Sequence, residues 1–182
     1  MIELLAYDTR EHIVRGLVEL RGDRMADLLI ATDRELSAES GFVLNLRDGR
    51  EGPLASRRVE VDHLGIVVAT GPQGNRYRRV DVHSALVIAY VGRFSVCGHI
   101  HAPAPERPDL GRDVRPWFPI TDAVVEYTRQ GRHVRDRFDA VLVNRTHVTG
   151  FVTTDARAHD ARWLASRPAA GPMDSRLRAL IG

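Results

Sequence analysis

The chain contains no lysine: every one of its 26 Lys+Arg positions is arginine. A planar guanidinium donates paired hydrogen bonds to phosphate or carboxylate that an ammonium cannot match. Coding bias in a GC-rich genome accounts for the same pattern without any binding role. Cysteine is almost as scarce. The single thiol, Cys97, excludes an intramolecular disulfide framework and fits a reducing cytoplasm. The longest apolar run, residues 85–91, has seven residues. A membrane-spanning helix needs about 20, so no membrane insertion is expected. The first eight residues lack the basic segment and long apolar stretch of a secretory signal, and a cytoplasmic protein is expected. Also missing are a Gly-x-Ser-x-Gly elbow, a Walker loop and a dinucleotide-binding glycine fingerprint. No cofactor is therefore expected.

The remaining composition is that of a folded protein, with 43% apolar and 27% charged residues in a chain of 182. That length suits one domain or two small ones. The formal charge is only +2, so a high pI reflects arginine staying protonated rather than a strongly basic surface.

The chain also repeats itself, faintly, at an offset of 82 residues. Val14-Arg15-Gly16-Leu17-Val18 returns as Val96-Cys97-Gly98-His99-Ile100, and Asp27-Leu28 as Asp109-Leu110. Gly49 returns as Gly131, Val59 and Val61 as Val141 and Val143, and Ile66 as Val148. With one residue of slack, Leu5-Ala6-Tyr7 matches Ile88-Ala89-Tyr90. Two units of this size do not make a solenoid, which needs three or more short repeats. They fit a tandem pair of small β barrels or sheets.

Alternation of apolar side chains over residues 12–20 predicts a strand with a buried face. Residues 23–31 carry Met25, Leu28 and Leu29 at helical spacing behind Asp23 as a possible cap. Strands are predicted at 2–7, 41–46, 59–61 and 65–69, with an Asp48-Gly49 turn between the second and third. Gly and Pro break the pattern at 71–75, and 77–83 is a candidate extra strand. In the second half, strands are predicted at 123–127, 138–143 and 147–152. Residues 102–108 form a stiff proline-rich insertion. The predicted organisation is a first β repeat at 1–70, a linker with a possible strand at 71–85, a second β repeat at 86–152, and a tail at 153–182. The fold class is mainly β: two related small barrels or sheets, each with a short helix, followed by a partly helical or disordered tail.

Chemistry has few footholds. Cys97, His99 and His101 alternate on one strand and so project to one face. Thiolate and imidazole are zinc ligands, and three protein ligands leave a position for water, so this trio is the candidate for a metal-dependent enzyme. The first copy has Arg15, Leu17 and Glu19 there, which are not ligand-like as a set. Pairs of acids, Asp8 with Glu11 and Asp136 with Asp139, read as surface features. Arg76, Arg78 and Arg79 surround Tyr77, and Arg129, Arg132, Arg135 and Arg137 line a predicted hairpin. Arginine beside an aromatic ring suits phosphate contact and base stacking, which makes RNA or DNA binding the alternative reading, although acids interleave throughout.

The pattern resembles uncharacterised bacterial proteins built from one or two small β domains. The first half carries the Val14-x-Gly16-x-Val18 strand and the Arg24-Met25-Ala26-Asp27-Leu28-Leu29 segment. The second carries Val96-x-Gly98-x-Ile100, Phe118-Pro119-Ile120-Thr121-Asp122-Ala123 and Val143-Asn144-Arg145. The resemblance implies a duplicated fold and brings no catalytic residue with it. Taken together, these features lead to the expectation of a non-catalytic protein-binding, scaffold or assembly module, working through a protein partner or self-association. Its candidate contact residues are Arg76, Tyr77, Arg79, Pro103, Pro105, Trp117 and Trp163.

Overall fold

Strands dominate because β-branched residues recur at alternate positions along most of the chain. The computed structural model describes residues 1–20, 24–32, 34–55, 58–70, 82–103, 105–106, 108–112 and 114–154. The strands are β1 (Ile2–Asp8), β2 (His12–Val18), β3 (Glu35–Asn45), β4 (Glu51–Pro53), β5 (Arg58–Glu60), β6 (Leu64–Val68), β7 (Val82–Val91), β8 (Phe94–Pro103), β9 (Trp117–Arg129), β10 (Arg132–Asn144) and β11 (Val148–Thr154). All pairings are antiparallel and form one sheet in the order β11-β7-β8-β9-β10-β6-β1-β2-β3-β4, with β5 attached to β3. One α-helix, α1 (Met25–Ala31), lies between β2 and β3, and 3-10 helices at Val61–His63 and Arg145–His147 precede β6 and β11.

Several expectations change. The residue at the helix N-cap is Arg24, without a side-chain cap, and Asp23 lies outside the described residues. Among the described residues of the second half there is no α-helix; the proline-rich stretch occupies the place of α1. Strand β7 starts at Val82, inside the span read as a linker, while 71–81 and 155–182 lie outside the described residues. Asp8 and Glu11 are buried rather than superficial. Asp8 receives Arg10, and Glu11 receives both Arg47 and Arg93.

The two halves share local geometry. Both Gly16 and Gly98 sit where the register of the sheet slips, between Arg15 and Leu17 and between Cys97 and His99. Opposite them Ser40 (φ 50°) and Asp122 (φ 49°) adopt the left-handed region, which bends β3 and β9 as a bulge does. A Cβ on Gly98 would lie 2.5 Å from Ile120 Cγ2 and 2.6 Å from the Thr121 carbonyl. On Gly16 it would lie 3.2 Å from Ala38 Cβ and 3.4 Å from the Glu39 carbonyl. These are the repeated positions 38/120 and 39/121. A second slip recurs as well: β1 against β6 shifts between Tyr7 and Asp8, and β11 against β7 shifts between Val148 and Gly150.

Two apolar cores result, and each draws on both halves. The first-half core contains Leu4, Ala6, Val14, Leu28, Leu36 and Val67, and takes Trp117 and Leu142 from β9 and β10. The second-half core contains Val87, Val96, Phe118 and Val125, and takes Tyr7, Ile13, Ile66 and Val68 from β1, β2 and β6. The seam is the pairing of β10 with β6, Val141 opposite Val68 and Leu142 opposite Val67. Near it Asn144 Nδ2 donates to the Leu64 carbonyl (3.1 Å), and His147 Nε2 donates to that of Asp62 (2.6 Å). Among the described residues no helix is long and apolar enough to cross a membrane.

Candidate interaction site

Strand β8 holds the three residues proposed as ligands, and its geometry separates them. Same-face neighbours on a strand are about 6.6 Å apart at the backbone, so three in a row span too far for one ion unless the strand folds on itself. Cys97 is buried, its thiol pushed up to about 11, first by desolvation and then by the Glu126 carboxylate. His99 Nδ1 approaches Asp122 at 3.7 Å. His101 turns to Thr121 Oγ1 at 2.7 Å, and burial followed by the neighbouring His99 lowers its pKa. The expected convergence is thus corrected: among the described residues no group of three His, Cys, Asp or Glu side chains is placed to hold a metal ion.

Pro103 ends β8 and Pro105 stands exposed beyond it, beside an open cleft of about 620 Å³. Ile100, His101, Glu106, Asp109 and Arg112 are among the residues that line it. Its floor is fixed by Leu110, a core residue whose carbonyl accepts from Arg145. Arg112 and Asp109, three residues apart on its lining, approach each other at 3.5 Å. A smaller cleft of about 330 Å³ surrounds Glu11, Arg47 and Arg93. Hydrogen bonds from the two arginines hold the Glu11 carboxyl at about 2, below its ordinary value. This acid is matched by cations and is not poised to exchange protons near neutrality.

Of the other predicted contact residues, Trp117 is a core side chain, so it supports the fold instead of a free surface. Arg76, Tyr77, Arg79 and Trp163 lie outside the described residues. In the β9–β10 hairpin, Arg135 pairs with Glu126, and Asp136 is occupied by two tyrosines, Tyr7 and Tyr127. Such closed polar pairs are structural chemistry, in which neighbouring groups satisfy one another.

The sequence pattern does not reveal an exposed apolar edge at one end of the sheet. Tyr90 on β7 and Phe151 and Val152 on β11 are exposed large apolar side chains. They border that edge from both faces: Tyr90, opposite Gly150, shares a face with Val152, and Phe151, opposite Ala89, lies on the other. Among the described residues no strand pairs with the outer edge of β11. The available signal was the repeat itself, since Tyr90 matches the buried Tyr7. No protein-family model, no curated protein and no solved structure matches this chain.

Proposed function

We propose that this chain is a non-catalytic protein-binding and assembly module made of two related β units. The observation that carries this reading is the contrast between its polar and apolar groups. The buried carboxylates Asp8 and Glu11, and the half-buried Asp136, are engaged by arginines or tyrosines of the same chain. Tyr90, Phe151 and Val152 instead stand open beside a strand edge that no strand among the described residues pairs with. Exposed apolar side chains gathered at one place mark interaction surfaces, whereas scattered ones carry no such meaning. The paired bulges at Gly16 and Gly98, and the matching 3-10 helices, support two copies of one scaffold unit.

The test is affinity capture from a lysate of the source cell with the tagged full-length chain, read by mass spectrometry. A specific protein species, or untagged copies of the chain, should be retained. Replacing Phe151 by Glu together with Val152 by Lys should reduce retention about tenfold or more, as loss of interface anchors does. Retention of no protein, or of RNA and DNA alone in a salt-sensitive manner, overturns the reading.

A further inference from the structure

The two halves differ most where they should be alike. The register slips place Tyr7 opposite Ile66 in the first half and Tyr90 opposite Gly150 in the second. By the same alignment Phe151 corresponds to Val67, and Val152 to Val68, so Ile66 matches Gly150 and not, as the sequence offset had it, Val148. In the first half Tyr7, Val67 and Val68 are 1%, 0% and 8% exposed. Their counterparts Tyr90, Phe151 and Val152 are 44%, 42% and 47% exposed. Neighbouring strands account for the difference. Strand β10 pairs with the outer edge of β6, bringing Leu142 and Trp117 over Val67 and the second-half core over Tyr7 and Val68. Strand β11 has the same position in its half, and among the described residues nothing pairs with it.

We propose that this edge is covered by a second copy of the chain, the β11 strands pairing antiparallel across a two-fold axis centred on Phe151. The proposal rests on the assembly-module reading above and names its partner. Its first support is the edge itself. Val148-Thr149-Gly150-Phe151-Val152-Thr153-Thr154 has no charged residue and no proline, the devices by which proteins protect strand edges from pairing. The second support is register. Centring on Phe151 stacks the two Phe151 rings, sets each Thr149 against a Thr153, and sets each Val152 against the other copy's Gly150. Threonine pairs and aromatic pairs across strands are favourable. The site at Gly150 has room for that valine, because a Cβ there would meet only the Tyr90 ring at 3.9 Å. Val152 from the second copy therefore lands beside Tyr90, and all three exposed side chains are covered at once. An interface using the same patch on both copies is the commonest arrangement in homo-oligomers.

Two rival occupants fit less well. A head-to-tail arrangement would repeat the β10–β6 seam with β5 of the next copy. Val143 opposite Phe118 matches Val59 opposite Leu36, so Leu142 of the seam corresponds to Arg58 and Phe151 would face Arg58. That guanidinium already holds Glu35 at 3.0 Å, and desolvating such a pair is costly. The chain's own residues 155–182 contain a single β-branched residue, Ile181, and are poor material for a pairing strand.

The experiment uses the full-length chain with Phe151→Cys, oxidised gently and run beside wild type in sedimentation velocity across a concentration series. Wild type should sediment as a dimer, and F151C should form a disulfide-linked dimer under denaturing, non-reducing conditions. Antiparallel neighbours have Cα atoms about 4.5–5.5 Å apart, within disulfide range. The only native thiol is buried Cys97, so wild type itself should not cross-link. Val152→Lys, an exposed position that leaves both cores intact, should yield a folded monomer by circular dichroism. A wild-type monomer at all concentrations, or no F151C cross-link, overturns the proposal. A cross-link between mixed R58C and F151C chains, without the F151C homodimer, also overturns it. If the chain stays monomeric but captures another protein from lysate, this inference fails while the binding-module reading stands. If it does neither, both fail.

Discussion

The phenol of Tyr7 donates a 2.8 Å hydrogen bond to Asp136 Oδ2, and the two residues lie 129 positions apart in the chain. Tyr127 donates to the same oxygen at 2.9 Å. Burial and the carboxylate both keep the phenols protonated, raising each pKa well above the ordinary tyrosine value. The Tyr7 ring also meets Phe94, Tyr127 and Phe138 edge-on, with centroids 5.4, 5.6 and 6.2 Å away. One first-half side chain thus closes the second-half core. Hydrogen bonds to a charged acceptor contribute about 1.5–3 kcal/mol. Asp136→Ala, which leaves two phenols without that acceptor, should cost about 3 kcal/mol or more. Asp136→Asn, which keeps an acceptor, should cost less. Urea unfolding measures both, and equal losses would show that packing rather than the shared acceptor matters.

The halves should unfold together. Trp117 and Leu142 complete the first core, while Tyr7, Ile66 and Val68 complete the second. Leu28→Ala, in the buried face of α1, should lower stability by about 2–5 kcal/mol through lost transfer energy and a cavity. Leu28→Asp should unfold the protein, since an unpaired buried charge is strongly unfavourable. In the alanine variant the fluorescence and far-ultraviolet transitions should still coincide. Two separated transitions would mean that the halves are energetically independent.

The repeated glycines should differ in tolerance. A Cβ at Gly98 meets a backbone carbonyl at 2.6 Å, whereas its nearest contact at Gly16 is 3.2 Å, to Ala38. Gly98→Ala should therefore cost about 2–3 kcal/mol by overpacking, and Gly16→Ala clearly less. Denaturant midpoints decide this. A larger loss at Gly16 would contradict the tighter packing of β8 on β9.

Acid should expose the Glu11 site. Its carboxyl is lowered from 4.5 to about 2, chiefly by hydrogen bonds from Arg47 and then Arg93. A folded pKa below the unfolded one contributes stability in full above the unfolded value, and that contribution disappears as pH falls through the folded value. The window is thus from about 4.5 down to about 2. Glu11→Gln should lower the melting temperature at pH 7 and flatten its decline in this window. A wild-type and a variant curve that stay parallel throughout would remove Glu11 as the cause.

Much of the strand pattern was legible because alternation is local. Residues 12–20 read as a strand, and β2 occupies His12–Val18. Only part of β3 was visible: the prediction began at 41, but the strand runs from Glu35 and turns at Ser40, whose left-handed φ interrupts the alternation. The pairing of β6 with β10 was not legible, since register between distant strands depends on which faces are buried by the whole assembly. Glu11 looks like a surface acid because Arg47 and Arg93 become its neighbours only on folding, whereas Asp8 has its Arg10 partner two residues away and is buried by the pairing of β1 with β6, which no local pattern shows. Tyr90, Phe151 and Val152 are hidden for the opposite reason. Apolar residues in a strand pattern look like core, and only comparison with their buried counterparts distinguishes them. Trp117, an aromatic after a proline, looked like a contact residue and packs in the core instead.

Capture with wild type against the F151E/V152K variant decides whether the chain works by presenting the Tyr90, Phe151 and Val152 edge to protein. Wild type should retain a defined protein species, including copies of itself, and the folded variant should lose it. Equal retention by both chains, or none by either, would show that this edge is not the binding surface.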